Sequence, residues 1–525
     1  MKKRLLAILL AAVMVMGLAG FTGNKALAEA KNFNEEGYPI VNEKITLKVL
    51  LGVRDSDTII DPKDMPALQR LEEQTGIHVE WDVVKSADWD TKLSLMWASE
   101  EYPDVILASN QSVNVEDYGV SQGLLIPLDE LSKKYMPNYT ERIALEKSDP
   151  TVSLIASDGK KYSIGRAMHY GNQCNQHFFI NQGWLDALKL ETPKDVGELT
   201  DVLRAFVSQD PNGNGEKDEV GIEMGINGFY GVRFVLPLFG VPCDSSLWIY
   251  LDENKQVQFT PYHEGFRKCM EWLHTMYEEG ILSAEVLSQD SATVENKLKS
   301  NSVGFFTAWR LANMGFDNGV EKDSVLWSPE GACMHRILNV AAGSAYVTET
   351  NKNVEATMRW LDALMETEMM FSLVYGEKDA TDGTGWKWDD NGKVTLLNDY
   401  SINEKTYLDV NTLYWMPSTY YMNVANLSKS YAQKQEFCAV YEEHGIFQPY
   451  SNDYIRLAPL TSDQKADANL IGVDINSAVV ENIARFIEKG VTDESWASFM
   501  KIFEQIDVTG YMKTYQDALN TMDIQ

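Results

Sequence analysis

The chain has 525 residues, 44% hydrophobic and 23% charged, the balance of a core-forming globular protein and not of a disordered one. At roughly 100–200 residues per domain, that length allows two to four domains or one large two-lobed body. With 46 Lys and Arg against 77 Asp and Glu, the net charge is −31, a field that repels phosphate backbones and argues against a general nucleic-acid binder.

The first residues read as an address. Lys2, Lys3 and Arg4 precede an apolar run, Leu5 to Leu18, that is too short to span a bilayer comfortably. Ala26-Leu27-Ala28 then offers a small-x-small cleavage site, so residues 1–28 are expected to be a signal peptide and the mature chain to start at Glu29. A second reading stays open. Leu18-Ala19-Gly20 leads into a lipoprotein cleavage site, but Phe21 stands where the lipid-bearing Cys is required, so the alternatives are a lost lipobox or an uncleaved anchor. The expectation is an exported protein, extracellular or cell-surface associated in a bacterium, without a lipid.

Downstream the pattern alternates. Ile45 to Leu51 reads as a strand that Gly52 ends, Pro66 opens a helix closed by Gly76, and Ile77 to Val83 alternates as a second strand. Ser86 to Ser99 puts Trp89, Leu93, Met96 and Trp97 on one helical stripe, and Asp104 to Ala108 is a short buried strand. Strand, helix, strand, helix, strand is the grammar of an α/β sheet. The pattern resumes with Phe178-Phe179-Ile180 as a strand. A helix capped at Thr192-Pro193 follows, then a hairpin at Asp252 to Lys255, a helix from Glu264 to Glu279 and a strand from Val303 to Thr307. Asn353 caps a helix, Asn391-Gly392 turns another hairpin, and the tail is expected to be three helices broken at Gly490 and Gly510. Trp89, Trp97, Trp272, Trp360 and Trp496 lie on helical stripes and are expected in the core. No linker or repeat interrupts the chain, which suggests two lobes crossed more than once.

Five scattered cysteines without a C-x-x-C pair exclude a Cys-rich zinc site and a disulfide framework. One segment has a clear metal chemistry. Asp210-Pro211-Asn212-Gly213-Asn214-Gly215-Glu216-Lys217-Asp218-Glu219 alternates oxygen-bearing side chains and places Gly at the sharp turn. Ca²⁺ wants six to eight hard oxygens. The expected ligands are Asp210, Asn212, Asn214, the Glu216 carbonyl, Asp218 and Glu219. Gly221 stands where an EF-hand carries its distant Glu, so the two nearer acids would complete the site, in a structural role. The plain alternative is an Asx-rich surface turn. Gly119 to Gly123 fits G-x-S-x-G, but no strand precedes it and no helix follows, so a hydrolase elbow is not expected there.

Longer stretches carry a resemblance. "KLSLMWASEEYPDVILAS" (Lys92 to Ser109), "LLIPLDELSKKYMPNY" (Leu124 to Tyr139), "NQGWLDALKLETPKDVGELTDVLRAF" (Asn181 to Phe206) and the Ala484 to Leu519 tail resemble the family 1 extracellular solute-binding proteins of ABC importers. The calcium loop resembles that of the long oligosaccharide-binding branch, including alginate-binding relatives. The resemblance implies an α/β, periplasmic-binding-protein-like type II fold, with two lobes, a hinge and a cleft between them. It would place lobe one at 40–175 plus 325–372 and lobe two at 176–324 plus 373–525. It implies a non-catalytic monomer that captures a carbohydrate and hands it to the transmembrane subunits of an ABC permease. Two other classes remain as alternatives: a secreted polysaccharide-active enzyme and a non-catalytic surface protein.

A sugar cleft needs flat aromatic faces and a few polar groups, and in such lobes it lies at the carboxyl ends of strands. That rule points to Arg54 and Asp55 after the first strand, to Ser109 and Asn110 after the third, and to Trp309 and Arg310 after Val303 to Thr307. Trp309 also matches the position at which maltose-binding relatives stack a sugar, and Phe229 and Tyr230 lie where they place another aromatic. Tyr170, with His169 and Asn172, precedes the lobe crossing. Trp386 and Trp415, in loop-like stretches, complete the candidates.

Overall fold

The computed structural model describes residues 32–53, 55, 60–108, 111–144, 149–166, 177–224, 229–243, 245–287, 289, 291–308, 324–337, 342–381, 385–397, 429–522 and 524. The expected signal peptide lies outside them.

Two sheets organise the chain. The first has the order β2-β1-β3-β11-β4 and is built from β1 (Ile45–Val53), β2 (Ile77–Lys85), β3 (Val105–Leu107), β4 (Ile164–Arg166) and β11 (Ala342–Val347). β1 is parallel to both β2 and β3, in register Ile45 with Ile77 and Val49 with Val105. β11 arrives from far down the chain and pairs antiparallel with β3 and β4. The period of two decides the layers. Val49, Leu51, Val105, Leu107 and Val347 share one core with Leu71, Met358 and Leu361 from the helices Pro66–Thr75 and Val354–Ala363. Leu50, Ile106 and Tyr346 turn to the other face, where the Ser86–Ser99 helix lays down Trp89, Leu93, Met96 and Trp97.

The second sheet has the order β10-β5-β9-β6, from β5 (His177–Asn181), β6 (Val220–Glu223), β9 (Val303–Ala308) and β10 (Ser324–Trp327). Its large core takes Phe178, Ile180, Ile222, Phe305 and Trp327. Against them pack Leu203 and Phe206, Phe266 and Leu273, and Val479 and Ile483 of the helices Val196–Ser208, Glu264–Glu278 and Ser462–Lys489. The opposite face is smaller: Phe179, Val303 and Phe306 meet Val294 and Leu298 of the Ser291–Lys299 helix. Two hairpins flank the sheets, β7 (Ile249–Leu251) with β8 (Val257–Phe259) and β12 (Trp386–Trp388) with β13 (Val394–Leu396).

Both expected re-entry points move. β10 pairs with β5, and Trp327, Ala332 and Met334 join the second core, so the return to lobe one comes between Met334 and Ala342 and not at 325. The Thr367–Tyr375 helix gives Met369 and Leu373 to the first core, and Met370, Phe371 and Val374 of the same helix pack on β12 and β13. Chain from 373 to 397 therefore goes with lobe one. The described chain rejoins lobe two in the Lys429–Glu443 helix, through Cys438 and Tyr441.

Two local caps and one close approach explain three further shifts. The helix expected at Pro193 starts at Val196, because Asp195 accepts the Glu198 N–H at 2.9 Å and caps it. The last helix starts at Val508 under an Asp507 cap. Gly510 is its first turn and not a break, since a Cβ there would lie 2.1 Å from Asp507 Oδ2. Gly52 does not end β1; it sits inside the strand, where a Cβ would lie 2.8 Å from the Trp89 ring and 2.9 Å from the Ala108 carbonyl. Among the described residues Cys243, Cys269, Cys333 and Cys438 form no disulfide with one another, and Cys174 lies outside the described residues.

Candidate functional site

β1 and β3 end side by side, with Leu51 opposite Leu107. The close approach at Gly52 sets that end of the sheet. Asp55 is used locally: its carboxylate accepts the Ala87 N–H at 3.1 Å at the start of the Ser86–Ser99 helix. Arg54, Ser109 and Asn110, which follow these strands, lie outside the described residues, as do Trp309 and Arg310 after β9. Tyr170, His169, Asn172 and Trp415 also lie outside them. Phe229 and Tyr230 open the Phe229–Val235 helix, and their side chains are outside the described set.

Trp386 is a correction. The sequence places it in a loop-like stretch as a ligand candidate, but it is 0% exposed. It lies on β12, its ring centroid is 5.4 Å from Phe371 and 5.5 Å from Trp388, and its indole N–H reaches Ser372 Oγ at 3.3 Å. A ring enclosed by its own hairpin and helix has no free face for a sugar. Of the tryptophans expected in the core, Trp89, Trp97 and Trp360 are buried, while Trp272 and Trp496 pack at its margin. The Gly119–Gly123 match lies in a π-helical turn, Glu116–Ser121, and does not form a strand-to-helix elbow.

The Asp210–Glu219 loop is folded by its own oxygens. Asp210 accepts the N–H groups of Asn214 at 3.1 Å and Gly215 at 2.9 Å, and Asn214 Oδ1 accepts the Glu216 N–H at 2.7 Å. Gly213 and Gly215 take left-handed backbone at φ 71° and 80°, which the turn requires. The amides of Asn212 and Asn214 both donate to Asp218 Oδ1, at 3.1 and 3.0 Å. Glu219 differs from the rest: its Oε1 is buried with no hydrogen-bond partner. Burial, reinforced by the charges of Asp218 and Asp210, holds its carboxyl above the usual range. Among the described residues no group of three or more His, Cys, Asp and Glu is placed to hold a metal alone. A cation here would need the amide and carbonyl oxygens as well.

Two polar features escaped sequence reasoning. Ser462, at the start of the long lobe-two helix, donates to Asp117 of lobe one, a bond between the lobes. Glu223 ends β6 fully buried, with Gln289 and Lys297 turned towards it. A lone acid closing the apolar strand Val-Gly-Ile-Glu was the signal available in the sequence. A surface groove of about 580 Å³ beside Tyr262, Arg267 and Trp496 lies on the helical flank of lobe two, where Arg267 pairs with Glu271 at 2.8 Å.

Two α/β lobes crossed by the chain more than once, each with a sheet completed by a distant antiparallel strand, define a bilobal binding protein of the periplasmic type II fold. The chain belongs to the bacterial extracellular solute-binding protein family, whose model matches residues 57–370, more than half of its length. It is 26% identical over 523 residues to the fructooligosaccharide ABC transporter substrate-binding protein FusA of Streptococcus pneumoniae, covering 94% of each chain. FusA in complex with kestose superposes with a TM-score of 0.72 at 23% identity, covering 91% of this chain and 99% of that one. An EF-hand mutant of FusA, over the same 91% and 99% and at 23% identity, gives 0.71. An extracellular solute-binding protein from Bifidobacterium longum subsp. infantis gives 0.79 at 19% identity, covering 91% and 98%. Alginate-binding protein AlgQ2, solved without calcium ion, gives 0.61 at 19% identity, covering 91% and 99%. At these identities the structures establish the fold. Among the described residues no helix is long and apolar enough to cross a membrane.

Proposed function

We propose that this protein is the extracytoplasmic receptor of an ABC importer, capturing a carbohydrate between its lobes and delivering it to the permease without changing it chemically. The observation that carries the reading is the match to FusA along 94% of both chains, which takes in both lobes and their crossings. An oligosaccharide is the favoured class because FusA is a fructooligosaccharide protein and its solved complex holds kestose. The receptor acts as a single chain. Arg54, Asn110, Tyr170, Phe229, Tyr230, Trp309, Arg310 and Trp415 remain the proposed contacts, with Trp309 as the stacking platform.

The loop is proposed to hold a structural Ca²⁺ through Asp210, Asn212, Asn214, the Glu216 carbonyl, Asp218 and Glu219. The donor set suits a hard cation. The buried, unpartnered Glu219 oxygen and three crowded carboxylates are the features a cation would satisfy. When bound, the ion neutralises that charge and clips the loop to the end of the Val196–Ser208 helix; it takes no part in sugar chemistry.

Thermal-shift screening with kestose and a panel of other neutral oligosaccharides tests the function. At least one glycan should raise the melting temperature and be recovered intact. Trp309→Ala should then weaken that glycan about tenfold or more while barely moving the ligand-free melt. Cleavage of the glycan would favour the enzyme class, and no response across the panel would favour a surface protein.

A further inference from the structure

We infer that Glu223 is a positioning residue: its buried carboxyl group anchors Met224, against which the Phe229–Val235 helix packs, and the anchor loosens as the solution becomes more alkaline. The inference rests on the reading above that strand ends face the ligand, because β6 runs out towards the helix that carries Phe229 and Tyr230.

The anchor has two parts. Glu223 Oε1 accepts the N–H of Met224 at 3.0 Å and also a hydrogen from Gln289 Nε2. Met224 in turn seats the helix: a Cβ on Gly231 would lie 2.1 Å from the Met224 carbonyl, so backbone meets backbone there with no room for a side chain. The carboxylate thus fixes Met224, and Met224 fixes the helix start.

The charge on this anchor is poorly compensated. Glu223 Oε2 is buried without a hydrogen-bond partner. The facing cation is Lys297, on the Ser291–Lys299 helix, and its Nζ stands 3.8 Å from Oε2. That ammonium is shared with Gln289 Oε1 at 2.7 Å and Glu285 at 3.4 Å. Glu285 itself adds a repelling charge from the Ala284–Leu287 turn. On the β9 side the ladder partner is Phe306, which offers no polar group. Burial, only partly offset by Lys297, pushes the Glu223 carboxyl up to about 7.

The sign follows from linkage. The closed state keeps its proton up to about pH 7, whereas an opened, hydrated Glu223 releases it near the ordinary value of 4.5. Raising the pH between those values therefore favours the open state, and above them the effect saturates.

Segment-resolved hydrogen exchange on the ligand-free full chain reads this directly. Protection at Met224 and at Gly231 to Val235, corrected for intrinsic rate, should fall about tenfold or more from pH 5 to pH 7.5 and then level off. Glu223→Gln keeps the acceptor oxygen but cannot ionise, so its profile should be flat. Lys297→Met removes the cation and raises only the closed-state value, so its decline should continue to higher pH before it levels off. A flat wild-type profile overturns the inference, and so does a decline that survives in Glu223→Gln or stays unmoved in Lys297→Met. No sugar enters this measurement. A silent glycan panel would overturn the function and leave the anchor standing, and a flat exchange profile would do the reverse.

Discussion

The Asp210–Glu219 loop and the end of β6 lie a few residues apart and treat negative charge in opposite ways. In the loop, carboxylates crowd together where water reaches most of them, and backbone N–H groups already fold around Asp210. At Glu223, one carboxylate stands alone in a dry layer, with a half-committed lysine as its cation. The difference teaches that the amount of charge matters less than what compensates it. The loop is exposed to solvent, from which the proposed cation would come; the strand end must keep its proton or open.

The first way to break this comparison is to remove the cation proposed for the loop. Chelation should lower the melting temperature, by an amount worth about 3 kcal/mol if free Ca²⁺ otherwise stood a hundredfold above its dissociation constant. Asp210→Ala should abolish that response. A wild-type melt indifferent to chelator would leave the loop as a plain Asx turn.

A smaller effect sharpens the other half. Glu223 has a raised folded-state value, so its favourable contribution is complete below about 4.5 and is lost as pH rises through about 7. Glu223→Gln should therefore melt higher than wild type at pH 8, by about 1–3 kcal/mol, and no higher at pH 4.5. Equal melts at both pH values would mean that the layer around Glu223 is not dry.

Much of this fold is legible from periodicity alone. β1, β3 and β9 and the helices at Ser86 and Glu264 are strong patterns that the structure keeps, and β2 forms where expected, although Val83 of its apolar face is exposed and Val84 is buried instead. The misreadings share one cause: each needed knowledge of a neighbour distant in the chain or of a cap. Gly52 looked like a stop because Trp89 and the Ala108 carbonyl, which demand its missing side chain, are far away in sequence. Trp386 looked exposed because nothing nearby announced Phe371 as its partner. The lobe crossings were misplaced because β10 is committed by pairing with β5, a contact across most of lobe two. The Asp210–Glu219 turn, by contrast, is written in ten consecutive residues whose own oxygens and amides fold it, and local chemistry of that kind is what a sequence shows best. Glu223 is the reverse case, since Gln289 and Lys297 come from a separate segment and no local spacing announces them.

Small-angle X-ray scattering of the full chain, with and without the oligosaccharide that most raises its melt, tests the central claim most directly. A ligand held by both lobes favours the closed arrangement, so the radius of gyration should contract on saturation, and Trp309→Ala should need more sugar to reach the same contraction. An unchanged radius of gyration at saturating sugar, with binding verified by calorimetry in the same sample, would contradict capture between the lobes.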